Sequence, residues 1–245
     1  AGSIADMRAV SAQQLLSAAT SNRFRTDGIV DGWSIPDQPY AIFSSGRQNK
    51  VPVLTGYNAE EGTTLGLLSM IPANNDVYIT RAQDMYGDLF SEFLEIYPEN
   101  DLREATLDSY RDARYGWNSI TWARMTENVG ESAYLYFFSH RPPGPQKEIL
   151  GAYHAAEIAY VFNNPQGLRH TATNDDIQMA DVMSDYWVNF ASTGNPNAKG
   201  LSEWKPYTQL NPNYVELNVT ATPYTDLTPA AWDFFDKVEA NKRSF

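Results

Sequence analysis

The sequence predicts an α/β protein in which helices flank a mainly parallel β-sheet. Its apolar strand segments are separated by long helical stretches, which is the pattern of a parallel sheet covered by helices. Residues 133–138 are continuous, aromatic and apolar, residues 51–56 are a short apolar run ending in glycine, and residues 214–219 alternate like an edge strand. Three strands are too few for 245 residues of such a fold. We therefore expect residues 1–245 to form part of one domain, incomplete without further sheet.

Helices are predicted where apolar spacing and capping residues agree. Residues 3–20 are helix-prone, with Ser3 and Ser11 as caps, and a Gly- and Pro-rich loop is expected over 26–50. Further helical patterns cover 60–70, 80–95 and 102–127, and a Thr80-x-x-Gln83 capping box is expected to open the second of them.

The strongest amphipathic pattern covers residues 174–193, and a last helix is expected to begin at Thr228-Pro229, with the threonine as its cap. The apolar positions predicted to face the core in the 174–193 helix are Ile177, Ala180, Met183, Trp187 and Phe190.

Composition excludes several classes of function. Thirty acidic against eighteen basic residues give a net charge of −12, which repels phosphate backbones and argues against a nucleic-acid partner. The absence of cysteine excludes disulfides, thiolate metal sites and cysteine nucleophiles. The longest apolar runs fall well short of the roughly 18 residues of a membrane span. The first residues carry neither a starting Met nor a leader pattern, so we expect the chain to be entered partway.

Two glutamates follow the strand at 51–55, in the stretch Gly56-Tyr57-Asn58-Ala59-Glu60-Glu61-Gly62. Working groups in open α/β sheets gather at the carboxyl ends of strands, where a carboxylate can orient a histidine. Acidic residues are also favoured in the first turn of a helix, and spacing alone favours that simpler explanation.

A histidine follows the strongest strand, in Gly151-Ala152-Tyr153-His154-Ala155-Ala156-Glu157. Neutral imidazole accepts a proton near pH 7, so His154 is a candidate general base. Without further information a structural histidine is the default. His154-x-x-Glu157 could also be half of a metal site, but no second such pair exists, and His140 and His170 lack matching partners. No metal or other cofactor is expected.

No serine nucleophile motif is present. A serine hydrolase of an α/β fold carries its serine in a G-x-S-x-G turn between a strand and a helix. Gly130-Glu131-Ser132-Ala133-Tyr134 is the nearest approach, but tyrosine replaces the second glycine and Ser132 precedes a strand. It also follows Glu61, against the order nucleophile, acid, histidine. We therefore reject Ser132 as a nucleophile.

Four stretches together resemble the type-B carboxylesterase and cholinesterase family, in order and spacing, over essentially the whole chain. They are Asp27-Gly28-Ile29-Val30-Asp31-Gly32 with Pro36 and Pro39; residues 51–62; Gly151 to Ile158 through Val161-Phe162; and Trp187-Val188-Asn189-Phe190-Ala191 with Thr193-Gly194-Asn195-Pro196-Asn197.

The resemblance implies the C-terminal half of an α/β-hydrolase, with Glu61 as the triad acid and His154 as the triad base. It also implies a small-molecule carboxylic ester as substrate. The family's N-terminal half, with its oxyanion loop and G-E-S-A-G turn, has no counterpart in these residues. We therefore expect the chain alone to be inactive and to pair with that half or with a second copy.

Two other classes stay open: a noncatalytic cholinesterase-like interaction module and, less favoured, a metal-dependent hydrolase using His154 and Glu157. Retention of both Glu61 and His154 argues against the first, because adhesion places no chemical demand on either residue. If the chain belongs to an esterase, the Glu61 carboxylate should lie about 2.6–3.2 Å from Nδ1 of His154, and Glu60 should face away from the histidine.

Overall fold

The computed structural model describes residues 2–22, 24, 28–167, 170–225 and 227–243. It divides the chain into two compact units, Ala1–Ser45 and Gly46–Phe245. No helix within these described ranges is both long enough and apolar enough to cross a membrane.

The first unit contains helices α1 (Ile4–Ala9), α2 (Ala12–Ser21) and α3 (Pro39–Ser44). Ser3 and Ser11 are confirmed as N-caps, each accepting a backbone N–H three residues on, from Asp6 and Gln14. The helix-prone stretch 3–20 forms two helices rather than one, because Val10 between α1 and α2 has an extended backbone. The loop predicted over 26–50 contains α3, and Asp27, which opens the first resembling stretch, lies outside the described residues.

The second unit is built on a sheet of four strands among the described residues: β1 (Val53–Asn58), β2 (Ala133–Phe138), β3 (Asn213–Leu217) and β4 (Ala221–Thr225). The strands lie in the order β1-β2-β3-β4; the first three are parallel, and β4 is antiparallel to β3. The mainly parallel sheet is therefore confirmed. Strand β4 was not predicted, and it carries Pro223, which an edge strand tolerates.

Helices cover both faces of this sheet. They are α4 (Asn75–Tyr86), α5 (Phe90–Ile96), α6 (Leu102–Arg111), α7 (Trp117–Asn128), α8 (Lys147–Leu150), α9 (Ile158–Val161), α10 (Asn174–Thr193) and α11 (Pro229–Arg243). Alternate side chains of β2 enter two cores. Leu135 packs with residues of α4, α5, α7 and α11, whereas Tyr134 and Phe138 pack with residues of α9 and α10.

Helix α10 has the bounds predicted from its periodicity, and four of the five apolar positions named for it face the core. Ala180 and Met183 are buried, Trp187 and Phe190 are partly buried against the same core, and only Ile177 of the five is exposed.

Two predictions about helices are wrong. Residues 60–70 hold only a short 3₁₀ turn, Leu67–Ser69, because Gly66 takes a positive φ of 88° that a helix cannot continue through. The Thr80 capping box is also wrong: α4 begins earlier, with Asn74 accepting the N–H of Val77 at 3.0 Å. Between α6 and α7 the expected helix contains a π-helical turn, Asp112–Gly116.

Candidate active site

Two neighbouring parallel strands bring the candidate residues to one edge of the sheet. Strand β1 ends at Asn58, which pairs in register with Phe138, the last residue of β2. The acid turn (residues 58–61) begins at the last residue of β1, and the histidine loop (residues 151–157) lies beside it through a parallel bridge between Glu60 and Tyr153. The carboxyl edge of a parallel sheet is where such folds place ligands and reacting groups.

Glu61 and His154 meet across these two segments. Oε2 of Glu61 lies 2.6 Å from Nδ1 of His154, which is within the range expected from the sequence. The other oxygen, Oε1, accepts the backbone N–H of Asn58 at 2.9 Å. An ionised carboxylate can only accept, so when Glu61 is ionised Nδ1 carries the proton and Nε2 is left as the basic nitrogen.

Burial dominates the electrostatics of Glu61. It raises the pKa of this carboxyl, and the hydrogen bonds from the Asn58 backbone and from His154 only partly oppose the shift. The negative charge of Glu157 nearby acts in the same direction as burial. Glu61 is thus a desolvated carboxyl group with two partners, the Asn58 backbone N–H and the imidazole of His154.

The imidazole of His154 packs against one aromatic ring and borders a cavity. Tyr115, in the π-helical turn, lies against the imidazole with ring centroids 5.4 Å apart. Within the described ranges no group hydrogen-bonds Nε2 of His154. The ring borders a cavity of about 280 Å³, whose lining also includes Thr64, Lys147, Leu150, Gly151 and Tyr153.

Glu60 faces away from His154, as expected, and has its own partners. Oε1 accepts from Nη2 of Arg141 at 2.7 Å, and Oε2 accepts the backbone N–H of Ala152 at 2.7 Å. Nothing in the spacing of the two adjacent glutamates indicated this division, because one points to a histidine side chain and the other to a loop backbone.

Asn58 provides a second tie between the acid turn and the histidine loop. Its buried amide Nδ2 donates to the Tyr153 carbonyl at 2.9 Å and to Oε2 of Glu157 at 2.5 Å. Glu157 is therefore engaged by an amide. Among the described residues no group of three or more His, Asp or Glu side chains is arranged to hold a metal ion.

Ser132 lies at the opposite end of the sheet. It immediately precedes β2, and its carbonyl accepts the N–H of Val53, the first residue of β1. The six residues of β2 separate it from the carboxyl edge, a length of roughly 20 Å at the usual rise of a strand. This position agrees with its rejection as the nucleophile.

A second histidine–carboxylate pair is present that the sequence did not indicate. Nε2 of His140 lies 2.8 Å from Oδ1 of Asp176, and both side chains are buried. The hydroxyl of Tyr160 also donates to Oδ1, at 2.7 Å, and Thr173 binds the other oxygen as N-cap of α10. Burial opposes ionisation of Asp176, but these hydrogen bonds outweigh it and lower its pKa. Both oxygens of Asp176 are thus hydrogen-bonded, to His140, Tyr160 and Thr173.

The sheet, its helical cover and the buried-acid–histidine pair define a protein of the α/β-hydrolase class. Comparison with known proteins makes this specific: a model of the carboxylesterase family matches residues 3–235, and the chain belongs to that family.

The chain spans well under half the length of the curated relatives that it matches. It is 28% identical to a medium-chain fatty acyl-CoA hydrolase precursor of Anas platyrhynchos, over 84% of this chain and 41% of that protein. It is 30% identical to carboxylesterase 1F of Mus musculus, over 77% of this chain and 37% of that protein.

Solved esterase structures share the fold. A PNB esterase matches with a TM-score of 0.72 at 22% identity, and a thermophilic PNB esterase with a TM-score of 0.73 at 19% identity. Each match covers 94% of this chain and 49% of the other, which fits a C-terminal part of an α/β-hydrolase.

Proposed function

We propose that this chain supplies the acid and the base of a serine carboxylesterase, and that the serine lies in an N-terminal half outside these 245 residues. The observation that carries the proposal is the contact between Glu61 and Nδ1 of His154, with Nε2 free beside a cavity. Family membership supports ester hydrolysis as the reaction, with small carboxylic esters as substrates.

In the proposed reaction, Nε2 of His154 takes the proton of the serine hydroxyl as its oxygen attacks the ester carbonyl. The same proton then passes to the oxygen of the leaving alcohol as the ester C–O bond breaks. Water repeats the sequence to release the acid and restore the serine. Glu61 keeps the imidazole in the tautomer with Nδ1 protonated and stabilises the imidazolium while it exists.

The sheet supports the partner part of the proposal. Strand β1 pairs only with β2 among the described residues, so one of its edges has no neighbouring strand there. Unpaired strand edges template pairing with another chain. We propose that residues 1–245 are the C-terminal half of a single α/β-hydrolase domain, completed by its N-terminal half or by a second copy.

Sedimentation combined with an esterase assay tests the proposal. We expect the stable species to contain the N-terminal half or a second copy, and hydrolysis of an activated aryl ester to require the N-terminal half. His154→Ala should remove most of that activity without dissociating the halves. A well-folded monomer of 27.5 kDa with cooperative unfolding would contradict the pairing. Full activity of His154→Ala would contradict the catalytic assignment.

A further inference from the structure

The Glu60 side chain joins the two segments that carry the candidate pair. Its Oε2 accepts the N–H of Ala152 at 2.7 Å, and its own backbone N–H donates to the Ala152 carbonyl at 3.1 Å. One residue of the acid turn thus holds both polar backbone groups of one residue of the histidine loop. Ala152 is itself fully buried and lies two residues before His154.

The histidine loop is shaped to receive this carboxylate. Gly151 has a positive φ of 60°, and a Cβ at this position would lie 2.3 Å from the carboxyl carbon of Glu60. Only glycine leaves that space open and adopts this backbone conformation without strain. The close approach therefore depends on both partners, Glu60 on one segment and Gly151 on the other.

Arg141 fixes the direction of the carboxylate. Its Nη2 donates to Oε1 of Glu60 at 2.7 Å, while its Nη1 reaches Glu148 at 3.3 Å. The Glu60 side chain is only 17% exposed, whereas that of Glu148 is 80% exposed. An exposed ion pair contributes little, but a charge-assisted hydrogen bond to a buried backbone N–H contributes more.

We propose that Glu60 is a positioning residue that holds the histidine loop against the acid turn, so that Nδ1 of His154 stays within reach of Glu61. The expected loss of catalytic rate rests on the proposed function, whereas the expected displacement of the histidine loop does not. Displacements of about 1 Å in a reacting group can cost roughly 100-fold in rate. Loss of the carboxylate should therefore act mainly on kcat, because it displaces the imidazole. KM should change less, since the histidine loop is only one part of the cavity lining.

The test compares four variants in the stable assembly that sedimentation identifies. Glu60→Ala and Glu60→Met remove the acceptor, and the second keeps most of the side-chain volume in case the first does not fold. Glu60→Gln keeps an acceptor for the Ala152 N–H. Glu148→Gln is the matched control, since it removes the other carboxylate that contacts Arg141.

We expect Glu60→Ala and Glu60→Met to lower kcat by roughly 10- to 100-fold, and Glu60→Gln and Glu148→Gln to stay within about threefold of the parent. Two readouts need no activity. The downfield proton resonance of His154 Nδ1–H should shift or broaden in the first two variants only, and the Ala152 amide should exchange about tenfold faster in them.

Unchanged kcat, resonance and exchange in the variants without an acceptor would overturn the inference. So would an equal loss in Glu60→Gln or in Glu148→Gln, because the effect would then follow charge or Arg141 rather than the bond to Ala152. If the parent assembly hydrolyses no ester, the proposed function fails. The resonance and exchange measurements still decide the role of Glu60.

Discussion

The carboxylate of Glu61 and the imidazole of His154 touch at 2.6 Å but differ sharply in exposure, at 5% and 42% of their side-chain surfaces. The carboxylate is enclosed by the end of β1 and the histidine loop, whereas the imidazole lies at the rim of a cavity. A buried carboxylate behind an accessible imidazole fits the proton transfer that we propose. Because the two side chains differ in exposure, substitutions at these positions should affect activity and stability to different degrees.

His154→Ala should lower stability moderately and activity severely. The ring is partly exposed, but its removal leaves the buried Glu61 carboxylate without the imidazole, so we expect the free energy of unfolding to fall by about 1–3 kcal/mol. Hydrolysis by the assembly with the N-terminal half should drop by roughly 10³-fold or more. Denaturant unfolding and steady-state kinetics on the same preparation check both values. A loss of activity that parallels a loss of folded protein would contradict this prediction.

Glu61→Gln should lower activity without lowering stability at neutral pH. Burial raises the pKa of Glu61, so ionising it costs more free energy in the native state than in the unfolded state. This penalty is fully present above the folded-state pKa. The variant should equal or exceed the parent in unfolding free energy at pH 7–8, and this difference should shrink as the pH falls toward 4. Because the pair acts as a unit, adding His154→Ala should cost little further activity. Additive losses would argue against a shared role.

Asp176→Asn should destabilise the fold by about 2–4 kcal/mol at pH 7, because it disturbs the buried partners His140, Tyr160 and Thr173. The folded-state pKa of Asp176 is lowered, so its stabilisation is present above the ordinary carboxyl range and is lost as the pH falls through the folded-state pKa. Asp175→Asn, on the exposed neighbour, should cost about 0.5 kcal/mol. Equal costs at the two positions, measured by urea unfolding, would refute a special role for this network.

Asp108→Asn should become relatively more stable as the pH rises. Burial raises the pKa of Asp108 to about 6, although Arg111 at 2.7 Å opposes the shift. Arg111 also binds Asp112 through two nitrogens, so one guanidinium is shared by two carboxylates. The native state holds a proton between about pH 4 and 6 that the unfolded state releases, so the parent loses stability across that window. With this side chain 32% exposed, we expect a relative gain of about 1 kcal/mol for the variant between pH 4 and 7. A flat difference across that range would contradict it.

Strand β2 and helix α10 could be predicted closely because local sequence patterns determine them. A continuous aromatic run forms β2 (Ala133–Phe138), and a long apolar periodicity forms α10, which Thr173 caps. Strand β4 could not be predicted from its short polar sequence, since antiparallel pairing with β3 creates it. The 60–70 helix failed for a local reason, the positive φ of Gly66.

The candidate site, too, could be predicted only in part from the sequence. Family resemblance selected Glu61 and His154, which spacing alone did not. The roles of Glu60 and Asn58 depend on a bridge between segments more than 90 residues apart, and no local pattern encodes such a contact. Likewise, Tyr115, which lies against His154, belongs to a π-helical turn that the pattern over 102–127 did not indicate.

We propose that Glu61 and His154 serve a serine that is not among these 245 residues. Labelling with a fluorophosphonate probe, followed by mass spectrometric location of the adduct, tests it most directly. We expect no stoichiometric adduct on the purified chain alone. In the assembly with the N-terminal half we expect one adduct, on a serine of that half, with labelling slowed strongly by His154→Ala. Stoichiometric labelling of Ser132, or of any other residue of this chain, would contradict the account.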